Sequence, residues 1–238
     1  LVGSEMCIRD RNVCVVYGTE RKGCTWHIAQ EVLSRLPEAE VIEFFLPRDC
    51  PDSCVSCFRC FNEENRCYCS QGARRILDAM LRADVILLTS PVYALHVSGQ
   101  MKTFLDHYCG MWMVHKPNGA MFGKQGVVIA SAAGPVYRAA LREMKDSLDF
   151  WGVARTYKLG FALMEISWDR LSPALKQKIA RQAERTAAKL RQGVNGPGLK
   201  ARMLFYGIRL AQKYVWKDSP DGKWWRDHGW LGKERPWK

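Results

Sequence analysis

Five short apolar runs, each followed by a stretch of helical periodicity, constrain this chain more than any other feature. The runs are residues 13–17 (VCVVY), 41–45, 84–89 (DVILLT), 126–131 (GVVIAS) and 157–163. They are rich in Val, Ile and Leu and lack polar alternation, the pattern of strands buried on both faces. Between them, residues 25–36 place Ile28, Ala29, Val32, Leu33 and Leu36 at helical spacing before Pro37. Helices are likewise expected near 71–81, around Met101, Phe104 and Leu105, and over 138–150 and 172–191. Strands alternating with helices require crossover connections, so the chain predicts an α/β fold with a doubly wound, five-stranded parallel sheet. In such sheets ligands sit beyond the C-terminal ends of the strands, so the loops after the first, third and fourth strands are the place to look.

The 238 residues suit one domain with an appendage. Residues 12–192 form the expected domain. Residues 193–198 (GVNGPG) read as a linker, and 199–216 as a basic amphipathic helix leading into a Trp-rich tail. The first eleven residues, LVGSEMCIRDR, lack the apolar core of a secretory signal and resemble a non-native leader. No apolar run approaches the roughly 20 residues that a membrane-spanning helix needs.

The net charge of +12 is unevenly placed: residues 1–169 hold 19 basic and 19 acidic side chains, whereas 170–238 hold 17 and 5. The tail is therefore expected to pack as a cover on the domain or a second copy, or to touch a membrane surface or acidic partner. Nucleic acid is the least favoured partner, although basic and aromatic interleaving also suits single strands.

The first loop, GTERKGCTW from Gly18 to Trp26, leads into a helix N-terminus, where free backbone N–H groups and the helix dipole favour an anion. It matches neither GxGxxG nor GxxxxGK[ST], so a mononucleotide phosphate or an ordinary polar turn are the two readings. The loop after the third strand contains Pro91, Val92 and Tyr93. Pro91 fixes an abrupt turn that can aim the Val92 and Tyr93 amides at a planar ligand, with Tyr93 stacking on it.

Ten cysteines include Cys54, Cys57, Cys60 and Cys67, spaced C-x2-C-x2-C-x6-C on one loop. Four thiolates so close suit an iron–sulfur cluster, a zinc ion or redox-active thiols better than disulfides, and imply a reducing, cytoplasmic setting. Cys69 is an alternative ligand, and Cys14 and Cys109 read as small buried hydrophobes. His27 reads as a surface or phosphate-side residue.

Three ordered motifs, the first loop, ADVILLTSPVY with Lys102 and Asp106 downstream, and ASAAGP from Ala130 to Pro135, resemble the NADPH-dependent FMN reductase branch of the flavodoxin-like superfamily. The resemblance covers about residues 12–165. It implies that Thr19, Arg21, Lys22, Gly23, Cys24, Thr25 and Trp26 cradle the FMN phosphate. Pro91, Val92 and Tyr93 would flank the isoalloxazine, and Ser131, Ala132, Ala133 and Gly134 would edge the ring. Two positions depart from the pattern, with Cys24 where Asn is common and His107 where Arg is usual. The cysteine spacing resembles that of iron–sulfur flavoproteins, which implies a [4Fe-4S] cluster on Cys54, Cys57, Cys60 and Cys67. The expected activity is NAD(P)H oxidation through FMN, passing electrons to a quinone, flavin, metal, redox protein or the cluster, in a homo-oligomer. Competing expectations are an FMN-binding electron carrier or redox sensor without turnover of its own, and a basic membrane-peripheral adaptor. No catalytic side chain is required, since the cofactor carries the chemistry.

Overall fold

A computed structural model describes residues 11–61 and 66–237. The five strands are β1 (Asn12–Tyr17), β2 (Glu40–Phe45), β3 (Val85–Pro91), β4 (Gln125–Ala132) and β5 (Arg155–Ala162). They form one parallel sheet in the order β2-β1-β3-β4-β5. The helices are α1 (Cys24–Leu33), α2 (Gln71–Arg82), α3 (Gly99–Asp106), α4 (Arg138–Phe150), α5 (Pro173–Arg191), α6 (Leu199–Tyr214) and α7 (Pro220–Asp227). The expected doubly wound fold is therefore present, with strand boundaries within about two residues of those read from apolar runs. Nothing in the periodicity announced α7, because its eight residues make only two turns.

Burial explains the patterning. β1, β3 and β4 are central and almost wholly buried, whereas the edge strands β2 and β5 expose residues along their outer portions. Alternate side chains of the central strands feed two separate cores. Cys14, Val16, Ile86, Leu88 and Val128 face α2, α3 and α4, while Val13, Val15, Leu87, Val127 and Ile129 face α1 and α5. A parallel sheet buries both faces because its crossover helices must cover both.

A third cluster lies outside the sheet: Phe205 of α6, Trp225 of α7 and Trp230 pack on Met113 and Phe122, with Trp224 and Trp237 at its border. Trp225 Nε1 donates to the His115 carbonyl at 2.7 Å, and Arg209 donates to the carbonyls of Trp230, Leu231 and Gly232. The tail is thus a cover on its own domain, one of the arrangements expected of it. The linker glycines Gly193 and Gly196 adopt positive φ, which ends α5 and turns the chain toward α6. Among the described residues no helix is long and apolar enough to cross a membrane.

Of the supposed leader, residues 1–10, with Cys7, lie outside the described residues. Arg11 belongs to the fold: its guanidinium donates to Gln125 Oε1 and the Arg191 carbonyl, and its own carbonyl accepts from Glu40 N–H at the edge of β2.

Candidate functional site

The strand order reverses direction between β1 and β3, so the loops leaving these strands diverge and open a crevice at their C-terminal ends. Tyr17 pairs in register with Thr89, and Pro91 with Ser131, which brings the loops after β1, β3 and β4 together. Ser98 ties them. Its Oγ donates to the Gly18 carbonyl at 2.6 Å, and its N–H donates to Ser90 Oγ at 2.8 Å. A Cβ on Gly18 would sit 2.9 Å from both Ser98 Oγ and the Thr89 carbonyl, so this close approach of the loops requires glycine.

At the start of α1 the helix is left open. The N-cap, Gly23, supplies no side-chain acceptor, and the first turn holds no acidic residue. α4 and α6 also start without a side-chain cap, whereas α2, α3, α5 and α7 are each capped by a serine, Ser70, Ser98, Ser172 and Ser219; of the uncapped starts, α1 is the one that follows β1 at the switch point. The α1 ladder begins with His27 N–H donating to the Gly23 carbonyl, so the N–H groups of Cys24, Thr25 and Trp26 precede it and point out of the helix end. Thr25 Oγ1 lies 2.8 Å from Ser131 Oγ, joining the first loop to the one after β4. Trp26 Nε1 is buried without a hydrogen-bond partner. An orphaned donor of this kind costs about 1–3 kcal/mol unless something accepts from it. Arg21 donates to the Ile166 carbonyl, and Lys22 Nζ lies 5.4 Å from the Trp26 ring, so both cations stay beside the helix end. Three amides outside the helix ladder with two cations beside them are the donor set that an anion such as a phosphate takes.

The loop after β3 differs from expectation in one respect. The Val92 N–H donates to the Ser131 carbonyl, and Tyr93 N–H donates to the His96 carbonyl. Both amides are therefore spent inside the protein, and neither is aimed at a ligand. Tyr93 and His96 close a tight turn whose two central residues, Ala94 and Leu95, have φ of 48° and 73°. Two non-glycine residues in the left-handed region store strain that the surrounding loops must hold. The turn leaves the Tyr93 side chain exposed at the crevice, together with Ala133 beside Gly134. Lys102 and Asp106 pair with each other on the exposed side of α3.

His27 is not aimed at the anion site. It stacks on Trp168 at a centroid distance of 4.9 Å, and burial lowers its pKa.

The cysteine loop turns through two further left-handed residues, Ser56 (φ 51°) and Phe58 (φ 55°). Cys54, Cys57, Cys60 and Cys67 all line one pocket of about 80 Å³, with Cys69, His107 and Cys109. Within it the thiols pair. Cys57 Sγ is 3.2 Å from Cys69 Sγ, and Cys60 Sγ is 3.8 Å from Cys109 Sγ. The Arg59 N–H and the Cys69 thiol lower the pKa of Cys57, and the Cys60 thiol lowers that of Cys109 to about 7. His107 Nε2 donates to the Asp52 carbonyl at 2.8 Å, which leaves Nδ1 as an acceptor 3.3 Å from Cys67 Sγ. Among the described residues no group of three or more His, Cys, Asp or Glu is spaced to hold a metal ion.

Cys109 is thus half-buried against this pocket rather than a core hydrophobe, whereas Cys14 is buried in the sheet with its thiol pKa pushed up to about 12 by desolvation. Sequence reasoning missed the roles of His107 and Cys109 here. The only hint was their His-x-Cys spacing just past α3, since the contacts to the cysteine loop span 40 to 55 residues.

A sequence model of the family described as NADPH-dependent FMN reductase matches residues 11–163. An iron–sulfur flavoprotein of Archaeoglobus fulgidus is 27% identical over 184 residues, covering 75% of this chain and 79% of the relative. An iron–sulfur flavoprotein of Methanocaldococcus jannaschii is 27% identical over 117 residues, or 48% of this chain and 58% of the relative. Among solved structures, the fold is similar to that of an FMN-dependent NADH-azoreductase from Bacillus anthracis in complex with FMN. That match has a TM-score of 0.55 and 11% identity, over 76% of this chain and 99% of that one. An oxidoreductase from Corynebacterium diphtheriae matches with a TM-score of 0.56 and 14% identity, over 77% and 96% of the two chains.

Proposed function

The chain belongs to the NADPH-dependent FMN reductase family, and from that premise we propose that it is an FMN-dependent NAD(P)H oxidoreductase whose cofactor phosphate seats on the N-terminus of α1. The observation that carries this reading is the uncapped start of α1, with its outward N–H groups and the orphaned Trp26 Nε1, at the sheet's switch point. A helix end that lacks an internal cap is stabilised by an anion, and a flavin phosphate supplies one.

Cys24, Thr25 and Trp26 would offer amides to the phosphate, with the Thr19 and Thr25 hydroxyls and the Arg21 and Lys22 cations around it; the Gly23 N–H donates to the Arg21 carbonyl, so Gly23 would contribute close backbone approach rather than an amide. Pro91, Val92 and Tyr93 would wall one side of the ring through their side chains. Ser131, Ala132, Ala133 and Gly134 would edge it, Gly134 having open space beside it. Bound FMN supplies hydride acceptance from a reduced nicotinamide and onward electron transfer. The protein's part is to hold the ring with one face open and to shield it from water on the other.

We also propose Cys54, Cys57, Cys60 and Cys67 as ligands of an iron–sulfur cluster. Their common pocket supports this, as do the two relatives that are iron–sulfur flavoproteins. As placed, Cys57 and Cys60 face Cys69 and Cys109 rather than one centre, so no electron step is assigned to the pocket.

Anaerobic purification, a visible spectrum, and assays of FMN, iron and acid-labile sulfide test both readings on one sample. Flavin bands with NAD(P)H oxidation support the reductase, and about four irons per chain support the cluster. Flavin without iron removes the cluster alone. A colourless protein that ignores added FMN removes the reductase reading.

A further inference from the structure

The family match ends at residue 163, yet α6 and α7 are built into the fold, so the tail calls for its own explanation. α6 carries two apolar faces. Ala201 and Phe205 are buried against the domain, with Leu204 and Ile208 partly buried beside them. On the opposite side Leu199, Met203, Tyr206, Leu210 and Tyr214 are 76%, 65%, 42%, 54% and 66% exposed. Their spacing of four, three, four and four residues aligns them on one outward stripe. Val215 and Trp216 extend the exposed apolar surface beyond the helix end.

Cations frame this stripe. From Leu199 to Lys217 the chain holds Lys200, Arg202, Arg209, Lys213 and Lys217 and no acidic residue. By helical spacing Arg202 and Lys213 run along one flank of the stripe and Lys200 along the other. Arg235 lies 5.4 Å over the Tyr206 ring and adds a further positive charge on this side. Only Lys200 is neutralised by an ion pair among the described residues, with Asp149. Arg209 is held by neutral carbonyls, and Arg202 donates to the Pro197 carbonyl, so both keep their charge.

We propose that the outward face of α6 is an interfacial docking surface for an anionic lipid bilayer. An apolar stripe flanked along one side by Arg202 and Lys213 is complementary to acyl chains beneath negatively charged headgroups, and the Tyr and Trp side chains suit the boundary between them. The helix, about 24 Å long, lies along such a surface rather than across it. A second copy is a poorer occupant. Two α6 helices related by a two-fold axis would face like charges toward each other, and a stripe one side chain wide offers about 240 Å², far below the roughly 800 Å² per partner of a stable interface. This inference stands apart from the reductase reading and does not depend on flavin binding.

The test is sedimentation of the full chain with vesicles made of roughly three parts phosphatidylcholine to one part phosphatidylglycerol, or of phosphatidylcholine alone. Binding to the anionic vesicles is expected at least roughly tenfold above that to neutral ones, and falls as salt rises from about 50 to about 500 mM. Met203→Glu/Leu210→Glu alters two exposed positions and should abolish binding with an unchanged melting temperature. Arg202→Glu/Lys213→Glu should remove the preference for anionic lipid while leaving the apolar stripe intact. Wild-type protein that ignores both vesicles, or a Met203→Glu/Leu210→Glu variant that still binds, overturns the proposal. So does light scattering that shows a wild-type dimer converted to monomer by that variant without vesicle binding, which gives the face to a second copy. Retention on poly-glutamate without vesicle binding gives it to an acidic protein and overturns the proposal as well.

Discussion

Trp26 separates ligand binding from folding at the scale of a single residue. Its Nε1 is buried and has no partner, so replacing Trp26 with Phe removes a donor whose burial costs the unliganded protein stability. We expect Trp26→Phe to melt no lower than wild type, yet to bind FMN roughly fivefold more weakly, about the worth of one hydrogen bond. An equal loss of stability and affinity would place the indole in packing alone. Thr25→Glu makes the complementary case. The new carboxylate would sit at the open N-terminus of α1, where it favours the helix dipole but occupies and repels the phosphate position. FMN affinity should drop by more than about tenfold by fluorescence titration, and unchanged affinity would refute the placement of the site.

The serine caps can be ranked at the scale of the elements because they hold different sets of partners. Among the described residues the Ser172 hydroxyl accepts only from Leu175 N–H, whereas the Ser98 hydroxyl accepts from Met101 N–H and also donates to the Gly18 carbonyl. Ser172→Ala should cost about 1 kcal/mol and leave FMN affinity unchanged. Ser98→Ala should cost more and weaken FMN as well, because it frees the first loop. Asp49 joins the end of β2 to α2, accepting from the Phe45 N–H at 2.7 Å and from Arg75 at 2.8 Å. Burial alone would raise its pKa, but the Phe45 N–H and the Arg48 and Arg75 guanidiniums outweigh it and hold the carboxyl below its ordinary value. The resulting stability is complete above the unfolded pKa, about 3.9, and is lost as the pH falls through the lower folded value. Asp49→Asn should therefore destabilise by about 1 kcal/mol at neutral pH, and its deficit should close in acid. A deficit that stays constant from roughly pH 7 to pH 2 would assign the effect to packing.

For the whole molecule, the tail is part of the folding unit. Trp225 and Phe205 are fully buried, and they cover Phe122 and Met113 of the domain. Trp225→Ala should cost about 3–5 kcal/mol by chemical denaturation. A loss below about 1 kcal/mol would mean that the cover is loosely applied. The five tryptophans of the tail look alike in sequence but divide here: Trp224, Trp225, Trp230 and Trp237 pack in the aromatic cluster, while Trp216 stays exposed. A basic amphipathic period could reveal that α6 has an apolar face, but not that it has two, since the choice of the buried one depends on what the domain presents.

The order and type of the elements were legible in the chain because strand burial on both faces and helical periodicity are local properties. Gly18, the open loop before α1, and the cysteine spacing could be read for the same reason. The meeting of partners far apart in sequence could not. Val92 N–H finds the Ser131 carbonyl, His107 reaches Cys67 and Asp52, and Cys109 faces Cys60. Each contact depends on where the sheet order 2-1-3-4-5 carries its loops, and on the competition of every backbone amide for the nearest acceptor. Sequence therefore determined that the loop after β1 runs into a helix start without a side-chain cap, and the tertiary structure decided which backbone amides around it remain unpaired.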